Sequence, residues 1–186
     1  MDDDLHPQAR AVLERRERLP VSSLRSIGAR PLRLLERASS WWQNRDPPAV
    51  GRVADRTIPG PAGDLRVRLY RPEGDGPFPT VVFYHGGGFV LGSIESHDLF
   101  CRHLARESDC VVMSVDYRLA PEHPFPAAVE DAYAAVEWAA DNPDALASTG
   151  DLAVVGDSAG GTLAAVAALM AAERDGPDID YQYLLY

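Results

Sequence analysis

Residues 152–161 have the sequence Leu-Ala-Val-Val-Gly-Asp-Ser-Ala-Gly-Gly, and most of what can be inferred about the fold starts here. The first four residues form a short apolar run, which is typical of a strand buried on both faces. An alanine-rich stretch at 159–174 follows and predicts a helix. The pattern Gly-x-Ser-x-Gly, from Gly156 to Gly160, lies at the junction. A strand that turns sharply into a helix is the context in which this pattern exposes a nucleophilic serine, here Ser158.

The same alternation of strand and helix extends over the chain from about residue 50. Short apolar runs and one alternating segment predict strands, and amphipathic or alanine-rich segments predict helices. Strands are predicted at 52–58, 65–70, 80–84, 110–116, 152–155 and 181–186, helices at 97–108, 127–140 and 159–174, a turn at 59–63 and a proline-rich loop at 117–126. This order predicts an α/β protein with a mostly parallel sheet flanked by helices.

The first 48 residues have a different pattern. Apolar residues at helical spacing predict a helix at 5–19 and a second one at 23–42, which Pro31 is expected to interrupt or kink. Pro47 and Pro48 then end the helical pattern. We therefore divide the chain into a helical segment, residues 1–48, and an α/β domain, residues 49–186.

Composition limits the class of protein. The chain has 186 residues, of which 46% are hydrophobic and 25% charged, as in an ordinary globular domain. It has no apolar run long enough to span a membrane and no apolar segment typical of a secretory signal, so a cytoplasmic location is predicted. Cys101 and Cys110 are expected to be reduced thiols, because two cysteines without a Cys-x-x-Cys pattern indicate neither a disulfide framework nor zinc.

The charge is strongly negative. The net charge is −10, and all 18 cationic side chains are arginine. An acidic protein is poorly suited to bind nucleic acid. The excess of arginine over acidic residues in residues 1–71 is interleaved with Glu and apolar residues, so we interpret it as a solvated helical face. The acidic, lysine-free composition favours a halophilic origin, with codon bias in a GC-rich genome as the alternative.

A second motif, His85-Gly86-Gly87-Gly88-Phe89, directly follows the strand predicted at 80–84. Consecutive glycines let the backbone approach a ligand closely and point N–H groups at it, which is what the oxyanion of an acyl-transfer reaction needs. A phosphate-binding loop is the alternative, but the chain has no Gly-x-x-x-x-Gly-Lys motif and no lysine. His85 itself is interpreted as a residue that supports this loop.

With a third motif, Asp116-Tyr117-Arg118-Leu119-Ala120-Pro121-Glu122-His123-Pro124, the chain resembles the hormone-sensitive-lipase-like carboxylesterases of the α/β-hydrolase superfamily. The resemblance covers about residues 50–186 and implies hydrolysis of short-to-medium acyl esters, a small-molecule substrate and no cofactor or metal. It implies that the N-terminal helices form a cap over the acyl pocket.

The resemblance also assigns roles to individual residues. Ser158 would be the acylated nucleophile. Asp116, Arg118 and Glu122, with His85, would support the loops beside the site. The oxyanion hole would consist of four backbone N–H groups, those of Gly86, Gly87, Gly88 and Ala159.

The catalytic triad is not complete in this sequence. In this fold the acid and then the histidine follow the serine, but all five histidines precede Ser158. His123, in the loop beside the predicted site, is the only plausible replacement for the base, and we do not expect it to act as one. We therefore expect a truncated chain that is inactive by itself and has an exposed apolar sheet edge. The alternative is a non-catalytic fragment or a small-molecule-binding remnant of the hydrolase fold.

Overall fold

The computed structural model describes residues 28–186 and, before them, Pro7, Gln8, Arg10 and Glu14. These four residues are helical and fall within the helix predicted at 5–19. The rest of that predicted helix, and residues 23–27 of the second, lie outside the described residues.

The described elements form one sheet with helices packed against it. The strands are β1 (Arg52–Gly60), β2 (Gly63–Arg71), β3 (Phe78–Tyr84), β4 (Val111–Val115), β5 (Ser148–Asp157) and β6 (Tyr181–Leu185). The helices are α1 (Ala29–Gln43), α2 (Asp98–Ser108), α3 (Ala127–Asp141), α4 (Pro143–Leu146) and α5 (Ala159–Glu173), and a 3₁₀ turn (Glu95–His97) precedes α2. Among the described residues no helix is long and apolar enough to cross a bilayer.

The sheet has six strands in the order β1-β2-β4-β3-β5-β6. β4, β3, β5 and β6 are parallel, whereas β1 and β2 form a hairpin that joins β4 antiparallel. The predicted fold class is therefore confirmed. Tyr84 at the end of β3 pairs with Val115 of β4 and Gly156 of β5. The segments that follow these three strands consequently emerge at the same edge of the sheet.

The core lies on both faces of the central strands. All five residues of β4 are buried, as the apolar run predicts. Val82, Tyr84 and Met113 pack with buried residues of α3 and α5 on one face. Phe83 and Tyr70 pack with Cys101 and Ala105 of α2 on the other. Helices therefore cover both faces of β3 and β4, and this fixes the position of the loops that follow them.

Two local predictions were wrong. In the described part of the helix predicted at 23–42, Gly28 is not helical and the helix begins at Ala29. Pro31 does not interrupt or kink it, because it lies in the first turn of α1, where its missing N–H is not needed. The predicted turn at 59–63 is only two residues long, because β1 continues to Gly60 and pairs with β2 through Pro59. Proline is tolerated there because β1 is the edge strand.

Candidate active site

Ser158 lies between the end of β5 and the start of α5, on a strained backbone. Its φ is 51° and its ψ is −115°, in a region that residues with a side chain rarely occupy. Its N–H donates to the carbonyl of Leu185 in β6 at 2.8 Å, and its carbonyl accepts from Thr162 at 3.1 Å. The residue is exposed at this turn. The predicted strand–turn–helix context of the serine is therefore present.

The two glycines of the motif are required by close backbone packing. A Cβ on Gly156 would lie 2.2 Å from the carbonyl carbon of Gly160. A Cβ on Gly160 would lie 1.9 Å from the carbonyl oxygen of Tyr84 at the end of β3. Real Cβ atoms do not approach backbone so closely, so only glycine lets α5 start directly against β3 and β5.

The glycine loop, residues 86–88, follows β3 and reverses the chain direction. Gly87 has a φ of 127° and Gly88 a φ of 62°. The Gly87 carbonyl accepts the N–H groups of Val90 at 3.1 Å and Leu91 at 2.8 Å, which closes the turn. Within the described part of the chain, the N–H groups of Gly87 and Gly88 have no hydrogen-bond acceptor. They remain available to a ligand, as does the N–H of Ala159, the first residue of α5.

Gly86 differs from the other two glycines. Its N–H donates to Oδ1 of Asp157 at 2.7 Å, and the residue is buried. The prediction that Gly86 contributes an oxyanion donor was therefore wrong, because its one N–H already has a charged acceptor. A Cβ on Gly86 would lie 2.2 Å from Oδ2 of Asp157. Gly86 thus allows the carboxylate to lie directly against the loop.

His85 is fully buried beneath the glycine loop. Its ring stacks on Tyr117 with centroids 4.3 Å apart, and Nδ1 lies 2.9 Å from the Gly86 carbonyl oxygen. Burial lowers the pKa of His85 to about 4, against the opposing effect of the Gly86 hydrogen bond, and nearby His97 lowers it further. The ring is therefore neutral near pH 7. That His85 supports the glycine loop remains a prediction.

Arg118 fastens the proline-rich loop, residues 117–126, to α3. Its backbone N–H and its Nε both donate to Oδ2 of Asp131, at 2.8 and 2.9 Å. Asp131 is buried, with an exposed fraction of 2%, so the pair is largely shielded from water. The Ala120 N–H then donates to the Phe89 carbonyl at 2.9 Å, which joins this loop to the glycine loop.

Glu122 and Asp116 contact other elements. Glu122 accepts from Arg30 at 3.2 Å and from Arg33 at 2.9 Å, both on α1. Asp116 lies 3.6 Å from Arg66 of β2. Burial raises the pKa of the Asp116 carboxyl, and the charge of Arg66 only partly offsets this. The three predicted supports thus lie next to the same loop but anchor it to α1, α3 and β2 separately.

α1 also contacts the residues that follow the glycine loop. Both carboxylate oxygens of Glu36 accept the Gly92 N–H, at 3.1 and 3.0 Å. Arg33 donates to the carbonyls of Val90 at 2.7 Å and Ala120 at 2.6 Å. The described part of the N-terminal helical segment therefore contacts the rim of the site. That residues 1–48 act as a cap remains a prediction.

A cavity of about 440 Å³ lies between the glycine loop, the proline-rich loop and α5. Its lining is mostly apolar and includes Phe89, Val129, Leu163 and Val166. It also includes Thr162, one helical turn after Ser158. Its size and character suit a small apolar ligand. His123 lines this cavity as well.

Sequence reasoning missed two residues, Asp157 and His97. Nε2 of His97 lies 3.3 Å from Oδ1 of Asp157. Burial raises the pKa of Asp157, but hydrogen bonds from His97 and Gly86 outweigh it and the net pKa is lowered. Asp157 could have been singled out because it directly precedes Ser158. His97 carried no such signal, because it lies far away in the sequence.

None of the described histidines hydrogen-bonds to Ser158. His85 and His97 are engaged as described above, and His103 lies exposed on α2. Residues 28–186 also contain no cluster of three His, Cys, Asp or Glu side chains that could hold a metal ion. Cys101 and Cys110 are free thiols.

Comparison with known proteins connects this geometry to a family. The family model described as the alpha/beta hydrolase fold matches residues 81–186. Carboxylic ester hydrolase LipN of Mycobacterium tuberculosis is 52% identical over 140 residues, which are 72% of this chain and 37% of that protein. Esterase LipI of the same organism is 50% identical and the match covers 43% of its length. The chain thus spans about two-fifths of the curated relatives that it matches.

Solved structures agree with these matches. The hyperthermophilic esterase from Pyrobaculum calidifontis superposes with a TM-score of 0.84 and 50% identity, over 96% of this chain and 56% of that one.

Proposed function

Since the chain belongs to the alpha/beta hydrolase family, we propose that it is part of a serine carboxylesterase in which Ser158 is the nucleophile. The observation that carries the proposal is the exposed Ser158 on a strained turn, level in the sheet with a glycine loop in which the N–H groups of Gly87 and Gly88 have no acceptor in the described chain. The esterases among its relatives support the choice of ester as substrate.

The reaction would begin with attack of Ser158 Oγ on the ester carbonyl carbon. A new C–O bond forms, the Oγ proton passes to a base, and the carbonyl electrons move to oxygen. The resulting oxyanion would accept hydrogen bonds from the N–H groups of Gly87, Gly88 and Ala159. Collapse of this intermediate expels the alcohol, which recovers the proton, and leaves an acyl-serine. Water repeats the sequence and releases the carboxylic acid.

The partial positive charge at the start of α5 would assist each step. Ser158 immediately precedes this helix, whose first N–H groups point toward the developing negative charge. The strained backbone at Ser158 would keep Oγ clear of the strand and directed outward. Gly86 would contribute by holding the loop through Asp157 and not by direct contact with the oxyanion.

The cavity beside Thr162 would hold the acyl group. Its volume of about 440 Å³ fits an acyl chain of short-to-medium length, in line with the small-molecule substrate proposed from the sequence. Because no described histidine reaches Ser158, deprotonation of Oγ would be slow in this chain by itself. We therefore expect the 186-residue chain alone to be nearly inactive.

Hydrolysis of p-nitrophenyl acetate with added imidazole tests this proposal, because imidazole can act as the base that none of the described histidines supplies. We expect saturable hydrolysis by the chain that rises with imidazole. The Ser158→Ala variant should show only the background reaction of imidazole itself. Ser39→Ala, on the exposed face of α1, is the matched control. Equal rates for the chain and Ser158→Ala would contradict the proposal.

A second candidate is small-molecule binding without turnover, and the lack of a histidine bonded to Ser158 among the described residues favours it. Here the apolar cavity would bind a ligand whose release does not depend on Ser158. Saturable binding of a non-hydrolysable ester analogue, equal in the chain and in Ser158→Ala, together with no acylation in imidazole, would favour this candidate.

A further inference from the structure

The 3₁₀ turn before α2 is anchored on both sides of His97. Two residues before His97, Oε1 of Glu95 accepts a hydrogen bond from Nη2 of Arg66 at 2.7 Å. After it, Oδ1 of Asp98 accepts from Arg68 at 3.1 Å and from the Tyr70 hydroxyl at 2.8 Å. Asp98 has an exposed fraction of only 4%, so these bonds are shielded. Strand β2 therefore fixes the backbone that carries His97.

Ring packing and a hydrogen bond also hold the side chain of His97. It lies against the ring of Phe83 with centroids 5.9 Å apart, and it stacks on His85 with centroids 5.6 Å apart. The hydroxyl of Ser96 lies 2.9 Å from Nδ1, which sets the rotation of the ring. Nε2 lies 3.3 Å from Oδ1 of Asp157.

Asp157 Oδ1 receives two donors from opposite parts of the site. One is Nε2 of His97, which must carry the proton because a carboxylate only accepts. The other is the Gly86 N–H at 2.7 Å, at the start of the glycine loop. Among the described residues, the titratable groups in contact with His97 are Asp157 and the neutral ring of His85. Asp157 is thus the ionised partner toward which the ring donates.

We propose that His97 is a positioning residue for the glycine loop. It holds the Asp157 carboxylate in the rotamer that accepts the Gly86 N–H, and this fixes Gly87 and Gly88 relative to Ser158. Without the donor on His97, the carboxylate would be free to turn toward water, and the loop would lose its strongest side-chain anchor. The inference rests on the proposed function, because it assigns the loop the task of binding an oxyanion.

Hydrogen exchange of the Gly86 amide in the 186-residue chain, followed by NMR, tests this inference without ester turnover. His97→Leu keeps the apolar contacts but removes the donor. It should speed exchange about tenfold, the effect of losing one hydrogen bond of ordinary net strength. His97→Gln places an N–H at a similar reach and should restore exchange to about the rate of the unaltered chain. His103→Ala, at an exposed site on α2, is the control and should change nothing.

Two results would overturn the inference. One is slow exchange in His97→Leu, because the anchor would then not depend on the donor. The other is fast exchange in both His97→Leu and His97→Gln, because ring packing and not the hydrogen bond would then hold the loop. If the variants fail to fold, the exchange rate of the Nε2 proton of His97 in the unaltered chain tests the inference instead. A slowly exchanging proton supports the bond to Asp157, and a rapidly exchanging one contradicts it. Failure of the imidazole experiment would leave these results unaffected.

Discussion

The two sides of Ser158 differ in how they are built. On the β3 side, the Asp157 carboxylate accepts the Gly86 N–H and the Glu36 carboxylate accepts the Gly92 N–H. The Ala120 N–H donates to the Phe89 carbonyl. These bonds join the glycine loop and the residues directly after it to β5, α1 and the proline-rich loop. On the β6 side, Tyr181 and Tyr183 are 75% and 63% exposed. The strand contacts the serine through one backbone hydrogen bond, from the Ser158 N–H to Leu185.

This difference separates the two tasks of an acyl-transfer site. Two of the three N–H groups proposed to stabilise an oxyanion, those of Gly87 and Gly88, lie on the β3 side, next to residues that hydrogen-bond to α1, β5 and the proline-rich loop. The group that would move the proton from Ser158 is not among the described residues. If this comparison is right, substitutions on the β3 side should lower the free energy of unfolding strongly. Substitutions on the exposed β6 strand should change it little.

The largest expected effect is on the β3 side, at Gly160. In Gly160→Ala the new Cβ would collide with the Tyr84 carbonyl oxygen, 1.9 Å away, so α5 must separate from β3. We expect a loss of about 3–5 kcal/mol in the free energy of unfolding, measured with urea. Gly28→Ala, where no atom lies within 4 Å of the new Cβ, is the control. A fully stable Gly160→Ala would mean that the packing around Ser158 is looser than described.

The second prediction concerns the buried His85. Its pKa is lowered to about 4, so between pH 6.5 and 4 the unfolded chain binds a proton that the folded chain does not. The corresponding stability is present above pH 6.5 and is lost as the pH falls to about 4. The loss amounts to about 3 kcal/mol. Urea unfolding across this pH range measures it.

The His85→Gln variant isolates this contribution. We expect its stability to vary less between pH 6.5 and 4 than that of the unaltered chain, whatever its absolute stability. His103→Gln, on the exposed part of α2, should keep the original slope. If the unfolding free energy of His85→Gln and of the unaltered chain depended on pH in the same way, the His85 ring would take up a proton as easily in the folded chain as in the unfolded chain.

A smaller effect is expected where α1 meets the rim of the site. Arg33→Ala removes the donors to the Val90 and Ala120 carbonyls, at 2.7 and 2.6 Å. Loss of these two hydrogen bonds should cost about 1–2 kcal/mol of unfolding free energy. Arg30→Ala is the matched control, because Arg30 pairs with the same Glu122 but its side chain is 83% exposed. If Arg33→Ala and Arg30→Ala were equally stable, the hydrogen bonds from Arg33 to the rim of the site would not contribute to stability.

The smallest effect on stability is expected on the β6 side. Tyr183→Lys places a charge on the exposed strand and should change the unfolding free energy by less than about 0.5 kcal/mol. It should nevertheless reduce self-association, measured by light scattering, because an exposed apolar strand is a site of strand pairing. Arg56→Lys on the charged edge strand β1 should leave scattering unchanged. If Tyr183→Lys scattered as much light as the unaltered chain, strand β6 would not be a site of self-association.

The sequence was most informative where one local rule determines the structure. The apolar runs at 110–116 and 152–155 correctly predicted β4 and the buried part of β5, because strands buried on both faces consist mostly of apolar residues. The Gly-x-Ser-x-Gly pattern correctly predicted the turn at Ser158, because only glycine fits at its two ends.

Prediction failed where a residue's role depends on a distant partner. Gly86 was assigned to the oxyanion hole because it shares the motif with Gly87 and Gly88, but its N–H is taken by Asp157. His97 was regarded only as a helix residue. Its contact with Asp157 arises because the turn before α2 and the end of β5 meet at one edge of the sheet, and neither local sequence indicates this.

The proposal that Ser158 is the acylated nucleophile is tested most directly by locating the acyl group after reaction with p-nitrophenyl acetate and imidazole. Mass spectrometry of peptides from the quenched chain gives its position. We predict acetylation at Ser158, above the level at other serines such as Ser39 and Ser96, and its loss in Ser158→Ala. Acetylation spread evenly over exposed serines, or none at Ser158, would contradict the assignment of this turn and the glycine loop as an acyl-transfer site.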